Sequence, residues 1–166
     1  MDRPPPDVLI SDSNVLIDFA NADLEALGLV VRAFSRVYTA RGILREVKNL
    51  TLAQTKRIGV ELCDPTMAEL MESAARGGAL SARDKLCFAI AKHRQWGCLT
   101  NDRGLRNVCI KVGVPVVWGL EAILIAHRKG HLSKARATRA GMAIQRSNPH
   151  HIGPDVLDKF LHLLDA

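Results

Sequence analysis

The segment Val8-Leu9-Ile10-Ser11-Asp12-Ser13-Asn14 decides how the rest of this chain is read. A short apolar run of strand length closes on an acid and a cluster of small polar residues. Cys98-Leu99-Thr100-Asn101-Asp102 repeats the pattern. Two buried strands that each end in an acid place those acids at the carboxyl edge of an open α/β sheet, where such folds bind their ligands.

Strand-like and helix-like segments alternate around these two. Val37-Tyr38-Thr39 reads as a strand, Val60 to Cys63 as a weaker one, and Val114 to Val117 as the last. Helical spacing runs from about Asn14 to Ala20, and Asp23 can cap a second helix over Leu24, Leu27, Val31 and Phe34. Ile43, Leu44, Val47 and Leu50 mark a helix face, with Glu46 near its edge. Met67, Leu70, Met71 and Ala74 suggest a helix that stops at Gly77-Gly78, and Ser81 opens another over Leu86, Ala89, Ile90 and His93. Leu105, Val108 and Val112 mark one more.

The alternation predicts an α/β fold with a central parallel sheet of four to five strands flanked by helices, over about residues 8–118. Beyond Gly119 only helices are expected, at Glu121 to Lys129, Leu132 to Gln145 and Asp155 to Leu164. We read residues 1–166 as one domain whose last part, about 119–166, is a helical C-terminal extension.

Composition narrows the function classes. An apolar share of 48% supports a real core, and 24% charged residues is ordinary for a globular chain. Only 4% of residues are aromatic, which argues against binding a nucleic-acid strand on a row of exposed rings. The net charge is +6, and its location is informative. No acid occurs between Ala122 and Pro154, a stretch that holds Arg128, Lys129, Lys134, Arg136, Arg139 and Arg146. A one-signed stretch reads as an electrostatic footprint for a polyanion, the plainer reading being a solvated helix face. Cys63, Cys87, Cys98 and Cys109 show no C-x-x-C spacing and read as small buried hydrophobes in a reducing compartment. Cys87, His93 and Cys98 match no zinc module. No apolar run approaches the roughly 20 residues that span a bilayer. Met1-Asp2-Arg3-Pro4-Pro5-Pro6 lacks the apolar stretch of a signal peptide and reads as an extended lead-in to the first strand. A cytoplasmic protein without membrane contact is expected.

Four acids carry the chemistry: Asp12, Glu46, Asp84 and Asp102. Taken singly, each has a plainer reading. Asp12 and Asp102 stand where a helix N-cap belongs, and Ser81-Ala82-Arg83-Asp84 fits a capping box. Glu46, between Arg45 and Lys48, fits a solvated charge. Their joint placement at strand and helix ends carries the weight. Carboxylates gathered in one cleft repel and take up protons, and a hard divalent cation removes the conflict, since oxygen ligands suit Mg²⁺ or Mn²⁺. A metal-dependent enzyme acting on phosphates follows as the expectation.

In order, these segments resemble the PIN-domain family of nucleases. The likeness rests on Ser11-Asp12-Ser13-Asn14-Val15-Leu16-Ile17-Asp18, Ile43-Leu44-Arg45-Glu46-Val47, Leu80-Ser81-Ala82-Arg83-Asp84 and Leu99-Thr100-Asn101-Asp102. The tail from Trp118 through Gly130 and Leu132 is similar to that of the branch containing VapC-type toxins. The resemblance implies a Mg²⁺- or Mn²⁺-dependent endoribonuclease leaving 5′-phosphates, with an antitoxin protein and a second copy of the chain as partners. It puts Asp12, Glu46, Asp84 and Asp102 in the places of the acidic ligands, with Asn14 and Thr100 as the polar residues beside them. Arg83, Lys85, Arg103 and Arg106 flank the acids and are expected to position the RNA backbone, against the plainer reading of a solvated helix surface. Two features depart from that family: the three leading prolines, and the length of the basic C-terminal segment.

Two other enzyme classes fit less well. Asp12-Ser13-Asn14-Val15 distantly resembles the nucleophile loop of haloacid-dehalogenase-type phosphatases, but Asn14 cannot donate the proton that the second acid of that loop supplies. A response-regulator receiver wants an acidic pair after its first strand and a late Lys, and neither is matched. A different class remains as the alternative, a catalytically silent PIN-like module that binds RNA or protein.

Overall fold

The computed structural model describes residues 3–166. Five strands form one sheet: β1 (Val8–Ser11), β2 (Arg36–Ala40), β3 (Val60–Cys63), β4 (Gly97–Leu99) and β5 (Val116–Val117). Their order is β3-β2-β1-β4-β5, and every pairing is parallel. Leu9 and Ile10 align with Gly97 and Cys98 on one side and with Val37 and Tyr38 on the other. The chain winds outward from β1 to β2 and β3, then returns to β1's other side for β4 and β5. The strand order therefore reverses between β1 and β4.

Helices fill the connections: α1 (Ser13–Ala22), α2 (Leu24–Val31), α3 (Arg41–Leu44), α4 (Leu52–Arg57), α5 (Met67–Ala75), α6 (Ala82–Arg94) and α7 (Arg103–Val112). Three more follow the sheet: α8 (Gly119–Arg128), α9 (Lys134–Ser147) and α10 (Pro154–Asp165). No helix among the described residues is long and apolar enough to cross a membrane.

The alternating side chains of each strand feed two separate cores. Leu9, Val37, Leu99 and Val117 pack with α1, α2, α8, α9 and α10, through residues such as Phe19, Leu27, Ile123, Ile144 and Phe160. Ile10, Ala40, Cys63 and Cys98 pack on the other face with α6 and α7, through Phe88, Ile90 and Leu105. The C-terminal helices thus cover one face of the sheet.

Several local readings change. The apolar face Ile43-Leu44-Val47-Leu50 is not one helix: α3 ends at Leu44 and Glu46 lies in the following turn, one residue beyond the C-cap Arg45. Ile43, Val47 and Leu50 are buried all the same, so irregular backbone delivers the same burial as a helical stripe. Helix α4 was not expected, and it is opened by a capping box between Thr51 and Gln54. The last strand is Val116–Val117, shorter than Val114 to Val117. In α5 the apolar residues face outward, with Met67 71% and Met71 65% exposed. Glu69 is buried there instead, its carboxylate bound by Arg94 at 2.8 and 3.0 Å.

The basic stretch is partly spent inside the fold. Arg136 pairs with Asp23 at 3.1 Å, Lys134 with Asp165 at 2.5 Å, and the Lys129 ammonium donates to the Ala33 carbonyl at 2.6 Å. Arg128, Arg139 and Arg146 stay exposed. The expected polyanion footprint is narrowed to these three.

Helix α9 approaches α10 through Gly141, where an added Cβ would lie 2.3 Å from the Phe160 ring. Phe160 is 4% exposed and has no free direction in which to retreat. Gly141→Val should therefore destabilise the fold by about 1–3 kcal/mol. The change is read as a lower denaturant midpoint at unchanged slope.

Candidate functional site

Asp12 follows β1 and Asp102 lies three residues past β4, so the two stand at the crevice where the strand order reverses. That crevice, at the carboxyl edge, is where open parallel sheets leave room for a ligand. Local sequence fixes both acids. Asp12 caps α1, its Oδ1 accepting from the Val15 N–H at 2.9 Å. Asp102 caps α7, its Oδ1 accepting from the Leu105 N–H at 2.8 Å.

Thr100 joins them. Its hydroxyl donates to the second carboxylate oxygen of Asp12 and accepts from the Asp102 N–H at 3.0 Å. Thr100 is fully buried and Asp12 is 1% exposed. Asp84 enters from the first turn of α6. The Ser81 hydroxyl donates to its Oδ2 at 2.8 Å and accepts from its N–H at 3.1 Å. The cap and ligand readings of these acids are compatible, since the cap bonds of Asp12 and Asp102 each use one carboxylate oxygen.

Electrostatics marks the three aspartates as neighbours. Burial pushes the Asp12 carboxyl up from 3.8 to about 7; the hydrogen bonds from Thr100 and Val15 oppose this, and the charges of Asp84 and Asp102 add to it. Asp84 is raised too, by burial first, then by Asp102. Among the described residues, no basic side chain offsets Asp12. Glu46 stands apart: its carboxylate pairs with the Arg83 guanidinium. That pair engages two expected site residues with one another, and Arg83 is not free for an RNA phosphate as placed.

Among the described residues, no three His, Cys, Asp or Glu side chains stand close enough to share one ion as placed. The side chains of Asp12, Asp84 and Asp102 could still hold a hydrated Mg²⁺ or Mn²⁺ ion. Their donors are all oxygen, and Mg²⁺ is held through one or two carboxylates while keeping several waters. A cation at the crevice would favour the charged form of Asp12 against the burial that raises it, and would offset the smaller repulsion from Asp84 and Asp102.

The remaining expected residues divide. Asn14 is half-buried on the first turn of α1, and Arg103 is exposed on the first turn of α7, beside Asp102. Arg106 lies 4.5 Å above the centre of the Trp118 ring.

Sequence reading missed a buried network under the crevice. Asp18 is 3% exposed and accepts from the side-chain amides of Asn101 at 2.9 Å and Asn148 at 3.0 Å. Asn101 Oδ1 in turn accepts from the Gly119 N–H at 2.9 Å. The network ties α1, the loop between Thr100 and Asp102, and the end of α9 into one unit. Its signal was an acid set among Ile17 and Phe19 on an apolar helix, which burial without a partner would make costly.

The raised Asp12 sets a pH dependence. Its folded value lies above its unfolded one, so its contribution to stability is fully present below about pH 4 and is lost as pH rises through about 7. The displacement corresponds to on the order of 4 kcal/mol. In a chelator, melting of the wild type should fall between pH 4 and 7 more steeply than that of Asp12→Asn. Equal slopes in the two proteins would remove Asp12 as the cause.

No family model and no curated protein matches this chain, so the chemistry of the crevice is read from its own residues.

Proposed function

We propose that this protein is a Mg²⁺- or Mn²⁺-dependent endoribonuclease of PIN type. The observation that carries the reading is the meeting of Asp12, Asp84 and Asp102 at the β1/β4 crossover, buried or half-buried, with charges that oppose one another. Such a cluster is costly unless it does chemistry, and raised carboxyls in a cleft mark functional sites.

Asp12, Asp84 and Asp102 would hold the ion, with Glu46 reaching it through water once released from Arg83. The ion would make a bound water nucleophilic at neutral pH and offset charge on the phosphate. The chain's own part is positional. Thr100 fixes the rotamer of Asp12 and the backbone of Asp102, and Ser81 fixes Asp84. Arg103 offers an exposed guanidinium beside Asp102 for the RNA backbone, and Arg83 becomes available if Glu46 turns to the ion. The net charge of +6, with Arg128, Arg139 and Arg146 exposed, suits a polyanionic substrate.

RNA as the substrate, an antitoxin partner and a homodimer follow from the resemblance of the four acidic segments to PIN nucleases. Four free buried thiols suit a reducing, cytoplasmic setting. One observation favours the silent binding module as the second reading: the carboxylates are not within shared coordinating distance as placed, and Glu46 is held by Arg83.

Calorimetry with Mn²⁺, followed by RNA cleavage, separates the two. Wild type should bind Mn²⁺ and cleave, and Asp84→Asn should lose both. If wild type and Asp12→Asn bind RNA equally and neither cleaves, the binding module is the better description. Thr100→Val, which removes only the orienting hydroxyl, should lower Mn²⁺ affinity or turnover by about 10–100-fold. An unchanged affinity and rate would mean that the hydroxyl does not position Asp12.

A further inference from the structure

A cavity of about 310 Å³ opens along the outer edge of β5, lined by Arg106, Ile110, Pro115, Val116, Trp118 and Glu121 among others. Its position follows from register. Cys98 aligns with Val116 and Leu99 with Val117, so Trp118 comes level with Thr100, the residue that holds Asp12. Val117 belongs to the core under α8 and Val116 packs on the opposite one. Alternation sends the Trp118 ring to the same face as Val116, the face that carries α6, α7 and Asp84. The cavity therefore lies one strand further out than the carboxylates, on the sheet face from which Asp84 enters.

Its walls include the exposed Arg3 guanidinium and offer three further kinds of contact. Trp118 and the Arg106 guanidinium form a stacked cation–π pair with 4.5 Å between guanidinium carbon and ring centre. Ile110 is 56% exposed and supplies an apolar wall beside them. Glu121 supplies a carboxylate to the lining: its Oε2 accepts from the backbone N–H of Trp118 at 3.2 Å, which leaves Oε1 free of that bond. A planar π surface, an apolar wall and one anionic acceptor together suit a flat heterocycle that donates hydrogen bonds from its edge. A lone stacking platform agrees with the low aromatic content, since it serves one base and not a row of them.

We propose that this cavity is a nucleobase subsite that takes one unpaired base of the RNA, guanine in preference to the others. Guanine alone presents two adjacent donors, N1–H and the 2-amino group, to a single carboxylate. Cytosine and adenine offer one exocyclic amino group beside an acceptor that Glu121 would repel, and uracil offers one imino N–H between two carbonyls. Arg106 then stacks on the base and does not bind a backbone phosphate, which revises the role expected of it from sequence. The identity of the ligand rests on the ribonuclease reading, but binding is measured without metal and without cleavage.

The experiment uses the full chain with Trp96→Phe, so that Trp118 is the remaining indole. Its fluorescence is titrated with GMP, AMP, CMP and UMP in a chelator, with ribose 5-phosphate as the phosphate control. GMP should quench saturably at about tenfold lower concentration than the other three nucleotides, and ribose 5-phosphate should have no effect. Glu121→Gln keeps the helix cap, because Gln serves in a capping box as Glu does. It should bring the four nucleotides to within about threefold of one another while quenching persists. Arg106→Ala should weaken all four alike. No saturable quench, an equal effect of ribose 5-phosphate, or a base preference indifferent to Glu121→Gln would overturn the subsite. GMP binding in a protein that cuts no RNA would leave the subsite standing and the nuclease reading fallen. Cleavage without GMP binding would do the reverse.

Discussion

Parallel pairing of β1 with β4 is the constraint on which the rest of this molecule depends. It aligns the carboxyl ends of two strands that are far apart in sequence and so places Asp12 beside the Thr100-to-Asp102 loop. Because the chain leaves β1 in one direction and returns on its other side, no connection crosses the crevice above this pair. Asp12 is almost wholly buried there, and Asp84 and Asp102 are half-buried. Burial, with a smaller contribution from the charges of Asp84 and Asp102 and no basic side chain among the described residues to oppose it, raises the Asp12 carboxyl, so the protein carries an electrostatic cost at one defined point.

What surrounds that point is built to hold it still. Thr100 is fully buried and bonds both aspartates, one through its side chain and one through its backbone. Beneath it, Asp18 gathers the amides of Asn101 and Asn148, and Asn101 reaches on to the start of α8 at Gly119. The C-terminal helices are thereby part of the support of the site as well as the cover of one sheet face. An added Cβ at Gly119 would come within 2.9 Å of Asn101 Oδ1, so the close approach of α8 to this network requires glycine. On the opposite face, Cys87 and Cys98 lie with their sulfurs 3.6 Å apart, both buried between α6 and β4. They fill the space that separates Asp84's helix from Asp102's strand as small apolar groups do.

The charge distribution shows how tertiary contacts reassign residues that look alike in sequence. Arg83, Arg103 and Arg106 all flank the acids along the chain. In the fold, Arg83 is paired with Glu46, Arg103 is exposed, and Arg106 is stacked on Trp118. The six basic residues of the C-terminal stretch divide in the same way, with Lys129, Lys134 and Arg136 engaged by α2's C-terminal turn, Asp165 and Asp23. Guanidinium and ammonium groups near an acid or a carbonyl are captured by it, and only the remainder contributes to the field felt by a polyanion.

The architecture was legible in the sequence because period and punctuation are local. Val8 to Ser11 and Cys98 to Thr100 are short apolar runs of strand length, and Asp23 and Ser81 mark helix starts through side chains that act within four residues. The acids at strand ends were legible for the same reason, since strand polarity alone sends Asp12 and Asp102 to one edge of a parallel sheet. Long-range contact decided what the sequence left open. Glu46 was read on a helix edge because Ile43, Val47 and Leu50 keep helical spacing, yet a turn buries the same three side chains. Asp18 and Asn101 are separated by more than eighty residues, and Arg106 and Trp118 by a whole strand, so no window along the chain could pair them. Sequence determined which side chains stand at the crevice. Only the tertiary structure decided which of them remain available to a ligand, because that depends on the partners that folding brings to each one.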